Sequence, residues 1–170
     1  FINLLADLGL REIMLPFETR NTEIMKKYAS GKFDPDEMNP IGILKAIKKA
    51  NIRAGSGFMI GFPDESWESI VKTKEFVKEL FAEGLDQAGF AIPVPYPGTL
   101  DFEREMKNPE IRKNFNENLL EWTDHMHMRG RPLFPTKIPA ADLESAVKDF
   151  WAEVNSTDYV SARSSMNISL

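Results

Sequence analysis

The sequence predicts an α/β fold: a partial, half TIM-type barrel of about three parallel strands with covering helices, followed by C-terminal helices. Two observations carry this. Three short apolar segments alternate with amphipathic stretches of helical length, the kind of covering connection that consecutive parallel strands require. Each apolar segment also runs into a loop rich in glycine, proline or charge, as strands of parallel sheets do at their carboxyl ends.

The elements follow in order. Phe1 to Leu8 reads as the end of an amphipathic helix closed by Gly9, an abrupt start that suggests a fragment of a larger protein. Leu10 to Phe17, with Ile13, Met14 and Leu15, reads as a buried strand leading into the loop Glu18-Thr19-Arg20-Asn21. A helix is expected from Thr22 to about Ser30. Another is capped by Asn39 and opened by Pro40, with Ile41, Leu44 and Ile47 on one face. Ala54 to Ile60 is a glycine-rich strand. After Gly61 to Glu65, Ser66 caps a long helix whose expected inward residues are Trp67, Ile70, Val71, Val77, Leu80 and Phe81, closed by Gly84. The third strand, Gln87 to Val94, meets the rigid loop Pro95-Tyr96-Pro97-Gly98-Thr99. Beyond Thr99 strand signals stop. Pro109 opens a helix aligning Ile111, Phe115, Leu119 and Trp122, and Ala141 opens another with Leu143, Ala146, Val147, Phe150, Trp151 and Val154 inward. The organisation expected is 1–104 as the partial barrel, 105–157 as a helical region, and 158–170 as a flexible polar tail.

Composition bounds the function. The chain has 170 residues, 42% of them hydrophobic, enough for a real core, and a net charge of -5 with both signs interspersed. No basic stripe marks a nucleic-acid partner, and no apolar run approaches the roughly 20 residues needed to cross a bilayer. Cysteine is absent, which excludes disulfides, thiolate metal sites and cysteine nucleophiles. A cytoplasmic location is the expectation.

Ligands of parallel α/β sheets collect at the carboxyl ends of strands, so the three loops are the candidate site. Glu18 and Thr19 offer a carboxylate and a hydroxyl for ribose hydroxyls or an amino group; read structurally, they are a solvated loop with a capping residue. In Gly57-Phe58-Met59-Ile60-Gly61-Phe62-Pro63-Asp64-Glu65 the glycines let a flat ligand approach backbone beside a dry wall, or simply allow tight strand packing. Pro95 and Tyr96 could hold an aromatic ring, or form a stiff turn.

Leu15-Pro16-Phe17-Glu18-Thr19, then Gly57 to Ser66, then Pro95 to Thr99, in this order and each after an expected strand, resemble the second half of the radical S-adenosylmethionine (SAM) barrel. The resemblance covers roughly Leu4 to Phe102. It looks most like the branch whose members often carry an amino-terminal cobalamin (B12)-binding domain. It implies that Glu18 and Thr19 contact the ribose or methionine part of SAM and that Met59, where isoleucine is usual, lies against adenine. The same resemblance makes Gly57, Gly61, Phe62, Pro63, Glu65, Pro95 and Tyr96 cofactor-binding positions. Glu65 falls one position later than the strict motif, in the G-F-P-x-E variant, and could cap the next helix instead.

The resemblance further implies a 4Fe-4S cluster, held by a C-x3-C-x2-C loop that lies outside this chain. It also implies cleavage of SAM to a 5'-deoxyadenosyl radical that acts on a small-molecule substrate, methyl transfer being one outcome. Cobalamin use stays open. This chain then supplies walls, is inactive by itself, and has the N-terminal half of the same enzyme as its partner; alone, it would self-associate through exposed sheet edges.

Two alternatives remain. One is an α/β-barrel fragment that binds a phosphorylated ligand, although no lysine or arginine lies between Arg53 and Lys72. The other is a non-catalytic binding or assembly module. His125 and His127, two apart, do not share a helix face and are not expected to bind metal jointly. Lys26-Lys27 and Lys48-Lys49 read as solvated faces, the scattered methionines as gap filling, and Asp34, Asp36 and Glu37 as no calcium loop.

Overall fold

The computed structural model describes residues 1–28, 32, 37–119 and 135–156. The elements are α1 (Ile2–Asp7), β1 (Glu12–Glu18), α2 (Thr22–Tyr28), α3 (Pro40–Lys49), β2 (Arg53–Met59), α4 (Trp67–Ala82), β3 (Gln87–Ala91), α5 (Leu100–Glu105), α6 (Pro109–Glu117) and α7 (Ala140–Val154). The three strands form one parallel sheet in the order β1-β2-β3. Both connections between consecutive parallel strands carry helix, as expected: α2 and α3 lie between β1 and β2, and α4 between β2 and β3.

Local chemistry sets the helix starts. Asn39 accepts from the Gly42 N–H at 2.8 Å with Pro40 next to it, and Ser66 accepts from the Ser69 N–H at 3.2 Å. The helices close over β2, which is buried along most of its length. Leu44 and Ile47 of α3, and Ile70, Val77, Leu80 and Phe81 of α4, join Phe58 and Ile60 in one core. α7 completes it: Leu143, Ala146, Phe150 and Val154 are buried, and Phe150 meets Phe90 of β3 edge to face at 5.5 Å. Across the surface, Glu153 of α7 pairs with Lys74 at 3.3 Å and Lys78 at 2.5 Å of α4.

Several expectations are corrected. Trp67 and Val71 are exposed, at 45% and 37%, because the inward stripe of α4 runs through Ser69, Ile70, Thr73, Phe76, Val77, Leu80 and Phe81. Two hydroxyl residues thus occupy places that an apolar pattern assigns to others. Trp151, 56% exposed, likewise lies off the α7 stripe. β3 stops at Ala91, before Pro93 and Pro95, since proline has no N–H for a ladder. Glu18 belongs to the end of β1 and not to the loop; α2 is described over Thr22–Tyr28, and the expected remainder, 29–30, lies outside the described residues. α5, capped by Thr99, is an additional helix. Leu119 is exposed. Trp122, His125, His127, Asp34, Asp36, the connection 129–134 and the tail 157–170 lie outside the described residues. No described helix is long and apolar enough to cross a membrane.

Candidate functional site

The carboxyl ends of β1, β2 and β3 open onto a single cavity of 540 Å³. Of the residues selected from sequence, Glu18, Met59, Gly61, Phe62, Pro63, Pro95 and Tyr96 line it. Thr19, Gly57 and Glu65 do not.

Glu18 ends β1 where the register with β2 shifts, between Leu15 and Glu18. Its φ is +56°, and the Thr19 N–H donates to the Phe17 carbonyl at 2.6 Å, closing a three-residue turn around it. A positive φ at a non-glycine residue in such a turn is strained, and strain of this kind gathers at binding sites. The turn aims the mostly buried Glu18 carboxylate at the cavity, where Lys32 Nζ pairs with it at 2.7 Å.

The β2 end is shaped by Gly61 and Glu65. Gly61 has φ +88°, and a Cβ there would sit 2.8 Å from the Leu143 side chain of α7, so both backbone and packing require glycine. Glu65, only 1% exposed, accepts from the Gly61 N–H at 2.8 Å, the Phe62 N–H at 3.3 Å and the Ser69 hydroxyl at 2.7 Å. Burial pushes its carboxyl above the usual range, and these three hydrogen bonds work against that push. Glu65 is thus a brace behind the cavity wall. Thr19 is fully buried and turned away from the cavity, against Thr73 of α4 at 3.1 Å.

Residues not singled out from sequence complete the cavity. Tyr28 of α2 stacks on Phe62 with centroids 5.1 Å apart, and its hydroxyl donates to Asp64 at 2.8 Å. Asp64 also pairs with Lys27 and, chiefly through that contact, is held below the ordinary carboxylate range. Burial, and then the bond to Asp64, pushes the Tyr28 hydroxyl up, so the phenol keeps its proton at neutral pH. Arg104 of α5 lies 5.7 Å over the Tyr28 ring and pairs with Asp101 at 2.8 Å and Glu105 at 3.2 Å. The spacing of Tyr28 four residues after buried Ile24 is the one local hint that it turns toward the sheet. Lys27, read as a solvated face, is indeed exposed at its head yet still reaches Asp64.

The site therefore combines an apolar, aromatic body with three cations, Lys27, Lys32 and Arg104, each engaged by a carboxylate. Among the described residues no three of His, Cys, Asp and Glu converge as metal ligands.

No protein-family model matches the chain. Over 100 residues, 59% of its length, it is 41% identical to a protein of Pyrococcus horikoshii described as an uncharacterized methyltransferase. The aligned stretch is 20% of that relative, so the chain spans about a fifth of its length.

Proposed function

We propose that this chain forms the SAM-facing and substrate-facing wall of a radical SAM enzyme, as its carboxyl-terminal part, with the N-terminal half of the same enzyme as partner. The observation that supports this most is that the three loops carrying the family resemblance, remote in sequence, line one cavity at the carboxyl edge of a parallel sheet. The half-barrel reading is supported by β1 and β3 each having one neighbour in the sheet among the described residues, which leaves an edge at each side.

Charge separates this reading from the phosphate-binding one. A phosphate group selects free cations, whereas Lys27, Lys32 and Arg104 already face Asp64, Glu18 and Asp101. A zwitterion such as the aminoacyl end of SAM suits a carboxylate beside an ammonium: Glu18 receives an amino group and Lys32 a carboxylate. Met59 and the neighbouring apolar wall take the flat base, and Tyr28 and Phe62 exclude water beside it. SAM supplies the reactive group; these residues bind and orient it. With no cysteine, the chain offers no ligand set for the 4Fe-4S cluster. Similarity to a protein described as a methyltransferase agrees in cofactor class, since SAM is the common methyl donor, and favours methyl transfer as the reaction of the whole enzyme.

Calorimetric titration of the chain with S-adenosylhomocysteine and, separately, inorganic phosphate tests the reading. Saturable binding of the nucleoside, weakened about tenfold or more by Glu18→Ala, is expected, as for loss of one charge-assisted contact. Binding of phosphate without the nucleoside would replace this reading with the phosphate one; binding of neither would leave an assembly module.

A further inference from the structure

Two buried hydroxyls of α4, Ser69 and Thr73, join the loop after β1 to the loop after β2. Hydroxyls within a helix compete with its own backbone and are poor choices for an inward stripe, so their place among Ile70, Phe76 and Val77 calls for a use. Thr73 Oγ1 lies 3.1 Å from Thr19 Oγ1 and accepts from the Arg20 N–H at 3.2 Å. Thr19 Oγ1 in turn accepts from the Asn21 N–H at 3.2 Å. One turn earlier, Ser69 Oγ accepts from Asn21 Nδ2 at 2.9 Å and donates to Glu65, which holds Gly61 and Phe62. Thr19 and Thr73 are both fully buried. The network therefore begins at the residue next to the strained Glu18 and ends at the β2 wall of the same cavity.

We propose that Ser69 and Thr73 are positioning residues that hold Glu18 in its positive-φ turn, so that its carboxylate meets the ligand's cationic or hydroxyl groups across from the Phe62 wall. A strained turn persists only where surrounding contacts over-determine it, and the bonds to Thr19, Arg20 and Asn21 hold the segment that follows Glu18. Both act through the loop and neither lines the cavity. The proposal rests on the reading of the cavity as a SAM site for its binding consequence, and on geometry alone for its conformational one.

The test pairs two readouts on the wild-type chain, Thr73→Val, Thr73→Ser and Ser69→Ala: the backbone carbon chemical shifts of Glu18, which report its φ, and titration with S-adenosylhomocysteine. Thr73→Val should move the Glu18 signals away from the positive-φ position and weaken binding about tenfold, as loss of a buried hydrogen-bonding group permits, while Thr73→Ser stays within about twofold of wild type. Combined with Glu18→Gln, Thr73→Val should weaken binding no further than either change alone. A lowered melting temperature with the Glu18 signals unmoved would make Thr73 merely structural and overturn the proposal. Should Thr73→Val fail to fold, Ser69→Ala decides by the same Glu18 signals. A wild-type chain that ignores the nucleoside sinks the functional reading instead, and the Glu18 signals still judge this one.

Discussion

The cavity has two kinds of wall. The ends of β1 and β2 are fastened from behind by Glu65, Ser69 and Thr73, all buried, and by the packing of Leu143 against Gly61. The end of β3 is held otherwise. After Ala91 it follows a proline-stiffened course to a turn in which Thr99 bonds the Tyr96 carbonyl at 2.8 Å, and it leaves Tyr96 49% and Leu100 88% exposed. The difference teaches where recognition must be fixed and where it can vary. On the proposed function, a cofactor common to many enzymes would fall to the braced walls and a substrate that differs between enzymes to the exposed one.

The comparison breaks first at the braces. Glu65→Ala should cost about 2–4 kcal/mol, because it strands two buried N–H groups and the Ser69 hydroxyl, and urea denaturation would read it as a lowered midpoint. A smaller cost, about 1–3 kcal/mol, is expected for Gly61→Ala from its positive φ and the Leu143 contact, measured the same way. In a Leu143→Ala background, itself destabilised, Gly61→Ala should cost less than in the wild type, since the clashing carbons are gone.

Acidity sharpens the same point. The folded Glu65 carboxyl is raised above its ordinary value of 4.5, so its proton is held more tightly in the folded state than in the unfolded one. Its favourable contribution is complete below that ordinary value and is lost as pH rises through the folded value. Glu65→Gln abolishes this titration. The gap in urea midpoint between wild type and Glu65→Gln should therefore shift against the wild type on going upward from about pH 4. A gap that stays constant with pH would mean that burial does not perturb this group.

The elements behind the braced walls were legible in sequence. Strand, glycine-rich loop and the Ser66 cap gave β2 and α4 from local pattern, and the order of loops pointed to the strand ends. What local pattern missed was made by distant contacts. Thr19 turns inward because Thr73, 54 residues later, awaits it, and Tyr28 turns to the cavity because Phe62 and Asp64 receive it. Trp67 and Val71 misled because apolarity alone does not set the phase of a helix whose inward stripe contains two buried hydroxyls. The strained φ of Glu18 has no local signature at all, glycine and asparagine being the usual residues for it.

The smallest expected effect comes from the exposed wall and is the most informative about specificity. Tyr96→Ala removes a half-exposed ring and Leu100→Ala a side chain largely in solvent, so each should change stability by less than about 1 kcal/mol in thermal or urea unfolding. Both residues nevertheless line the cavity mouth. If the β3 wall serves the variable ligand, these changes should leave S-adenosylhomocysteine binding within about twofold while Glu18→Ala weakens it about tenfold, a separation that calorimetry resolves easily. Comparable losses from Tyr96→Ala and Glu18→Ala would place the nucleoside across both walls and end the division between them. The outcome turns on Tyr96, because an aromatic ring half in water at the rim of an apolar cleft gains most by covering a ligand.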